Sequence, residues 1–105
     1  MDLQLSGKTA LVTGASTGIG RAIAQGLAAE GVRLCVVARR RNLLEELSRE
    51  IAAAGGPSPA IIEADVMPEG AAERIAAEAR RQLGHIEILV NSAGGSQPSL
   101  PVDAP

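Results

Sequence analysis

Phenylalanine, tyrosine and tryptophan are all missing from this 105-residue chain. The core must therefore be filled by Leu, Ile, Val and Ala, which pack closely but offer no aromatic face for stacking a base or sugar. The missing tyrosine also removes one common general acid. Cysteine occurs once, at Cys35, so no intramolecular disulfide is possible and a reducing compartment is expected. His85 has no second His or Cys to complete a metal site, and a surface turn residue is its expected role. Cys35 lies in an apolar run and reads as a small core hydrophobe. No apolar stretch approaches the roughly 18 residues of a membrane span. The start at Met1-Asp2 lacks the charged-then-apolar layout of a signal peptide. A net charge of −2 leaves no basic footprint for nucleic acid. These exclusions lead to the expectation of a cytoplasmic globular domain that meets neither nucleic acid nor membrane.

What remains is an alternation of short apolar runs and longer amphipathic ones. Thr9–Thr13 reads as a buried strand closed by Gly14. Ile19, Ile23 and Leu27 recur every fourth residue with Arg21, Gln25 and Glu30 between them, which predicts a helix, and Gly31 stands where a left-handed C-cap would fall. Gly26, inside that helix, costs about 1 kcal/mol against Ala, which close packing on the sheet would explain. Arg33–Ala38 is the second strand. Asn42 and Glu45 resemble a capping box, ahead of a helix with a stripe of Leu44, Leu47, Ile51 and Ala54 that stops at Gly55-Gly56-Pro57. Ala60-Ile61-Ile62 is a short third strand ending near Asp65. Pro68 suits the first turn of a third helix, with Ala72, Ile75, Ala79 and Leu83 inward, and Gly84 at its end. Ile86–Val90 is the fourth strand.

The order β-α-β-α-β-α-β predicts an α/β fold, a doubly wound parallel sheet with strands in the order 3-2-1-4 and helices on its flanks. A ligand crevice is expected above strands 1 and 4. Residues 1–94 form the expected binding domain, and 95–105, with no periodicity and three prolines, an irregular loop at which the chain stops. Strand 4 reads as apolar and central yet is left at an edge, which invites pairing. Either more protein should follow or something else should cover it, so the fold is expected to be truncated.

The strongest motif is Thr13-Gly14-Ala15-Ser16-Thr17-Gly18-Ile19-Gly20, between the first strand and first helix. A helix N-terminus there offers unpaired N–H groups and partial positive charge, and its glycines allow strained angles and close approach of a pyrophosphate. The second signal is the end of strand 2. An NAD-selective site places Asp or Glu there, but Ala38 is followed by Arg39-Arg40-Arg41, which suits the 2′-phosphate of NADP in preference to NAD. The plainer alternative is a solvated face in which Arg41 pairs with Glu45. Asp65, followed by Val66, either accepts a bond from an adenine amino group or caps the turn before the third helix. Asn91 either ties neighbouring strands and lines a ribose or is a turn-forming residue.

Together these residues resemble the short-chain dehydrogenase/reductase family. Its T-G-x-x-x-G-x-G motif is matched by Thr13 through Gly20, and its N-N-A-G motif by Asn91-Ser92-Ala93-Gly94, with Ser92 in place of the second Asn. Asp65-Val66 resembles the family's adenine contact, and Ala38-Arg39 its NADP-preferring variant. The resemblance implies that Gly14, Ser16, Thr17, Gly18, Ile19 and Gly20 surround the cofactor phosphates. It further implies Arg39 and Arg40 at the 2′-phosphate, Asp65 and Val66 at the adenine, and Asn91, Ala93 and Gly94 near the ribose. It implies NADP as cofactor, a homo-oligomer for a full-length form, and hydride transfer between nicotinamide and a carbonyl or alcohol. The family's catalytic Ser and Tyr-x-x-x-Lys set has no counterpart here. The only lysine is Lys8, and Ser92 and Ser96 lack a base. No catalytic residue is assigned, and the isolated chain is expected to be inactive. The alternatives are a non-catalytic dinucleotide-binding module or an inactive fragment. A methyltransferase, which shares the strand order, would want an acidic residue ending strand 2.

Overall fold

The computed structural model describes residues 5–92. Four parallel strands, β1 (Thr9–Thr13), β2 (Arg33–Ala38), β3 (Ala60–Glu63) and β4 (Ile88–Asn91), alternate with helices α1 (Gly18–Ala29), α2 (Arg41–Ala53) and α3 (Ala71–Leu83). The sheet order is β3-β2-β1-β4, the doubly wound order expected from the sequence. Thr9 pairs with Arg33 and Thr13 with Val37 on one side of β1, and Ala10 with Ile88 and Thr13 with Asn91 on the other. The C-terminal ends of β1, β2 and β4 are therefore level with one another.

Successive side chains of a strand point to opposite faces, so a strand covered on both sides must be apolar throughout. Ala10, Val12, Leu34, Val36 and Ala38 meet α1 and α2 through Ala24, Ala28, Leu44, Leu47 and Ile51. On the opposite face Leu11, Cys35 and Val37 meet Ala71, Ile75 and Ala79 of α3. The second layer is thinner because a single helix builds it. At the far edge Leu89, in register with Leu11 on β4, is 67% exposed.

Several local expectations are corrected. The helix predicted from the Ile19-Ile23-Leu27 spacing forms, but its fully buried residues are Gly20, Ala24 and Ala28, with Leu27 partly buried beside them and Ile19 74% exposed. The helix turns its smallest residues inward because it lies close against β1. Gly26 does not serve that packing: a β-carbon there would meet nothing within 4 Å. Asn42 does not cap α2. The helix begins at Arg41 after the N-cap Arg40, without a side-chain cap, and the Arg40 carbonyl accepts from the Leu43 N–H at 3.1 Å. Ala54 is the exposed C-cap of that helix, not part of its stripe.

Pro68 precedes α3 in a turn closed by the Ala71 N–H on its carbonyl at 3.0 Å. Gly70, at φ 83°, then starts the helix, which moves the inner face from Ala72 to Ala71. The β4 strand runs from Ile88 to Asn91, two residues later at its start than expected. Gly31 does follow α1 at φ 83°, in the left-handed region. The reading of 95–105 as a loop lies outside the described residues.

Cys35 is fully buried in β2. Burial pushes its thiol up to about 11, and the negative charge of Glu78 acts in the same direction. The unfolded chain gives up this proton near the ordinary value of 9.0, whereas the folded chain keeps it until about pH 11. Stability should therefore fall as pH rises through that window, by up to about 1.4 kcal/mol per pH unit. Urea denaturation at pH 8 and pH 10 checks this: Cys35→Ala should lose that part of the slope while being less stable at both.

Candidate functional site

The glycine-rich turn leaves β1 at Thr13 and enters α1 at Gly18. Gly14 and Gly18 take φ values of 65° and 60°, where a side chain is strained. Between them the Ala15 N–H donates to the Val37 carbonyl at 3.1 Å, fastening the turn to β2. Gly20 serves a different purpose. A β-carbon there would overlap the Gly14 carbonyl, whose carbon would lie 2.9 Å away, and the Ser92 hydroxyl. Only a hydrogen lets α1 come this near the end of β1.

The same corner is braced from β4. The Thr13 Oγ1 hydroxyl donates to Asn91 Oδ1 at 3.0 Å, and the Ser92 hydroxyl donates to the Thr13 carbonyl at 2.6 Å. Of the two readings of Asn91, the strand tie is the one formed. Ser92 is a strut whose role sequence reasoning missed. Its only signal was its place in the Asn91–Gly94 motif, where it substitutes an amide. Ala93 and Gly94 lie outside the described residues.

At its open end α1 is uncapped. Thr17, the N-cap residue, makes no side-chain cap bond, and no acidic residue stands in the first turn. The first intrahelical bond runs from the Arg21 N–H to the Thr17 carbonyl at 3.4 Å. The N–H groups of Gly18, Ile19 and Gly20 therefore have no partner within the helix, and they carry the positive end of its dipole. A β-carbon at Gly18 would meet nothing within 4 Å. The chemistry fits an anionic oxygen ligand: open space above unfilled donors, with no carboxylate competing in the first turn.

Arg39 and Arg40 follow β2 directly and are exposed. Arg41 pairs with Glu45 at 3.2 Å, as the plainer alternative required. Among the described residues, however, neither Arg39 nor Arg40 has a carboxylate within 4.0 Å. Asp65 and Val66 follow β3. The Met67 N–H donates to Asp65 Oδ1 at 2.9 Å, so the turn-capping bond considered for this residue exists. The described candidate residues thus stand at the C-terminal ends of four neighbouring strands. The glycine turn and Asn91 meet at the switch point between β1 and β4, while the arginines and Asp65 lie outward along β2 and β3.

A cleft of about 330 Å³ opens elsewhere, between β3 and α3, lined by Ile62, Ala64, Asp65, Pro68, Arg74 and Glu78 among others. Lys8 pairs with Glu87 at 3.7 Å, before β1 and at the start of β4, away from the turn. His85 is exposed just before β4.

The family model for short chain dehydrogenases matches residues 8–103. The chain belongs to the short chain dehydrogenase family. It is similar to a short chain dehydrogenase of Pseudocercospora fijiensis, 41% identical over 97% of this chain and 33% of the relative. It is also 38% identical to 11-beta-hydroxysteroid dehydrogenase 1A of Arabidopsis thaliana, over 91% of this chain and 28% of that protein. Among solved structures, L-sorbose reductase from Gluconobacter frateurii, complexed with NADPH and L-sorbose, matches with a TM-score of 0.84 at 35% identity. That match covers 100% of this chain and 40% of the reductase. The chain spans about a third of the length of the curated relatives it matches. Those relatives are oxidoreductases by name, and this chain carries a Rossmann-like sheet that matches the solved reductase.

The Gly20 contact gives the site its sharpest test. Gly20→Ala should force α1 away from Gly14, with an expected loss of about 2 kcal/mol or more, read by urea denaturation. Gly26→Ala, in open space on the same helix, should stabilise by a few tenths to about 1 kcal/mol.

Proposed function

We propose that this chain is the NADP(H)-binding part of a short-chain oxidoreductase. The observation that carries the reading is the uncapped start of α1 above a glycine turn, at the point where the sheet order reverses. Residues 1–94 form the binding domain. The diphosphate lies against Gly14, Ser16, Thr17, Gly18, Ile19 and Gly20, where the unfilled N–H groups donate to its oxygens. Arg39 and Arg40 hold the 2′-phosphate. Asp65 and Val66 border the adenine, and Asn91, Ala93 and Gly94 the neighbouring ribose. When bound, the cofactor supplies hydride exchange between its nicotinamide and a carbonyl or alcohol. This chain's residues bind and orient it.

Preference for NADP rests on charge. Ala38 ends β2 where an NAD site would place a carboxylate, and the two exposed guanidiniums beside it have no acidic partner among the described residues. Support also comes from the NADPH held by L-sorbose reductase, whose fold matches over the whole of this chain.

The 105 residues hold no tyrosine, and their one lysine, Lys8, pairs with Glu87, so no proton-transfer role is assigned to them.

Calorimetric titration tests both halves of the site. NADPH should bind about tenfold to a hundredfold more tightly than NADH, and Arg39→Ala should erase most of the difference, as loss of one charge-assisted bond implies. Comparable affinities in the unmodified chain would remove the case for NADP. Gly18→Val puts a β-branched residue at a φ of 60° and fills the open space above the turn. It should abolish binding of both nucleotides while the circular dichroism spectrum persists, and undiminished affinity would show that the turn is not the phosphate site.

A further inference from the structure

Arg21 lies behind the glycine turn, in the first turn of α1, with a side chain only 20% exposed. Its two terminal nitrogens have separate partners. Nη1 donates to the Ser16 carbonyl at 3.4 Å, and Nη2 donates to Glu50 Oε1 of α2 at 2.6 Å, with Glu46 at 3.7 Å. Gln25, one helical turn further along α1, donates to the same Glu50 oxygen at 3.0 Å. The guanidinium is thus held by two carboxylates on a neighbouring helix, and its charge is spent there, not on the crevice.

We propose that Arg21 is a positioning residue for the diphosphate turn, a fork that ties the Ser16 carbonyl to α2 and so sets the backbone presented to the ligand. The inference rests on the reading of that turn as the diphosphate site. Its physics is the planar trans peptide. Fixing the Ser16 carbonyl fixes the whole Ser16–Thr17 peptide plane, including the Thr17 N–H and the course of the chain into Gly18. Ser16 and Thr17 lie between two glycines of positive φ, a stretch with little conformational restraint of its own. Preorganised donors bind an anion without a further ordering cost. Lysine would keep the charge but has one nitrogen where Arg21 has a fork, so it cannot hold both partners in the same geometry.

The test uses the 105-residue chain and three probes: NADP, ADP-ribose and adenosine 2′-monophosphate. The first two carry the diphosphate, the third only the 2′-phosphate. Arg21→Lys should weaken NADP and ADP-ribose by about fivefold or more, the worth of one ordered hydrogen bond, and leave adenosine 2′-monophosphate unchanged. Glu50→Gln, an exposed substitution that loosens the fork from α2, should reproduce part of the loss, and the double variant should lose less than the sum. If Arg21→Lys does not fold, Glu50→Gln carries the same comparison alone. Equal loss for all three probes would mark a general structural role and overturn the inference, as would undiminished affinity for the diphosphate ligands. Failure of the unmodified chain to bind ADP-ribose overturns the reading of the turn itself, and the inference with it.

Discussion

At the end of β1 a helix and a carbonyl share space that one methyl group would fill. The approach of Gly20 to the Gly14 carbonyl, with the Ser92 hydroxyl against both, decides how near α1 stands to the sheet. Everything at the crevice follows from that distance. It places the opening turn of α1 directly above the strand ends, and it lets Ser92 and Asn91 of the β4 segment hold the Thr13 carbonyl and hydroxyl. A larger residue at position 20 would push the helix away, and its unpaired N–H groups with it.

Electrostatics reinforce the same end of the molecule. The positive pole of α1 is left without an acidic cap, and Arg39 and Arg40 stand one strand away. Four other cations are answered by carboxylates: Arg21 by Glu46 and Glu50, Arg41 by Glu45, Arg81 by Glu78, Lys8 by Glu87. Most of those pairs are exposed and contribute little to stability.

The core is built without aromatic residues, and its two layers differ in depth. Leu44, Leu47 and Ile51 give the α2 side three fully or nearly fully buried large side chains, whereas α3 offers Ile75 between two alanines. The thinner layer covers β1, β2 and β3 and stops short of β4, so Leu89 stays exposed. In a chain that spans about a third of its relatives' length, this apolar edge is the part of the sheet with the least cover among the described residues.

The sequence by itself determined the element order, the limits of β1 and β2 and the place of the glycine turn. These are local properties: apolar runs of strand length, helical spacing, and glycines where φ is positive. Sheet order also followed, because right-handed crossovers leave few choices for a β-α-β-α-β-α-β chain. Only the tertiary structure decided which face of each helix is buried. Ile19, Ile23 and Leu27 carry the helical period, yet Gly20, Ala24 and Ala28 face inward, since depth of approach to the sheet outweighs hydrophobicity there. It likewise separated Gly20, which is sterically required, from Gly26, which is not, and it gave Ser92 and Arg21 their partners. Those contacts join residues far apart along the chain, and no local pattern in the sequence encodes such distances.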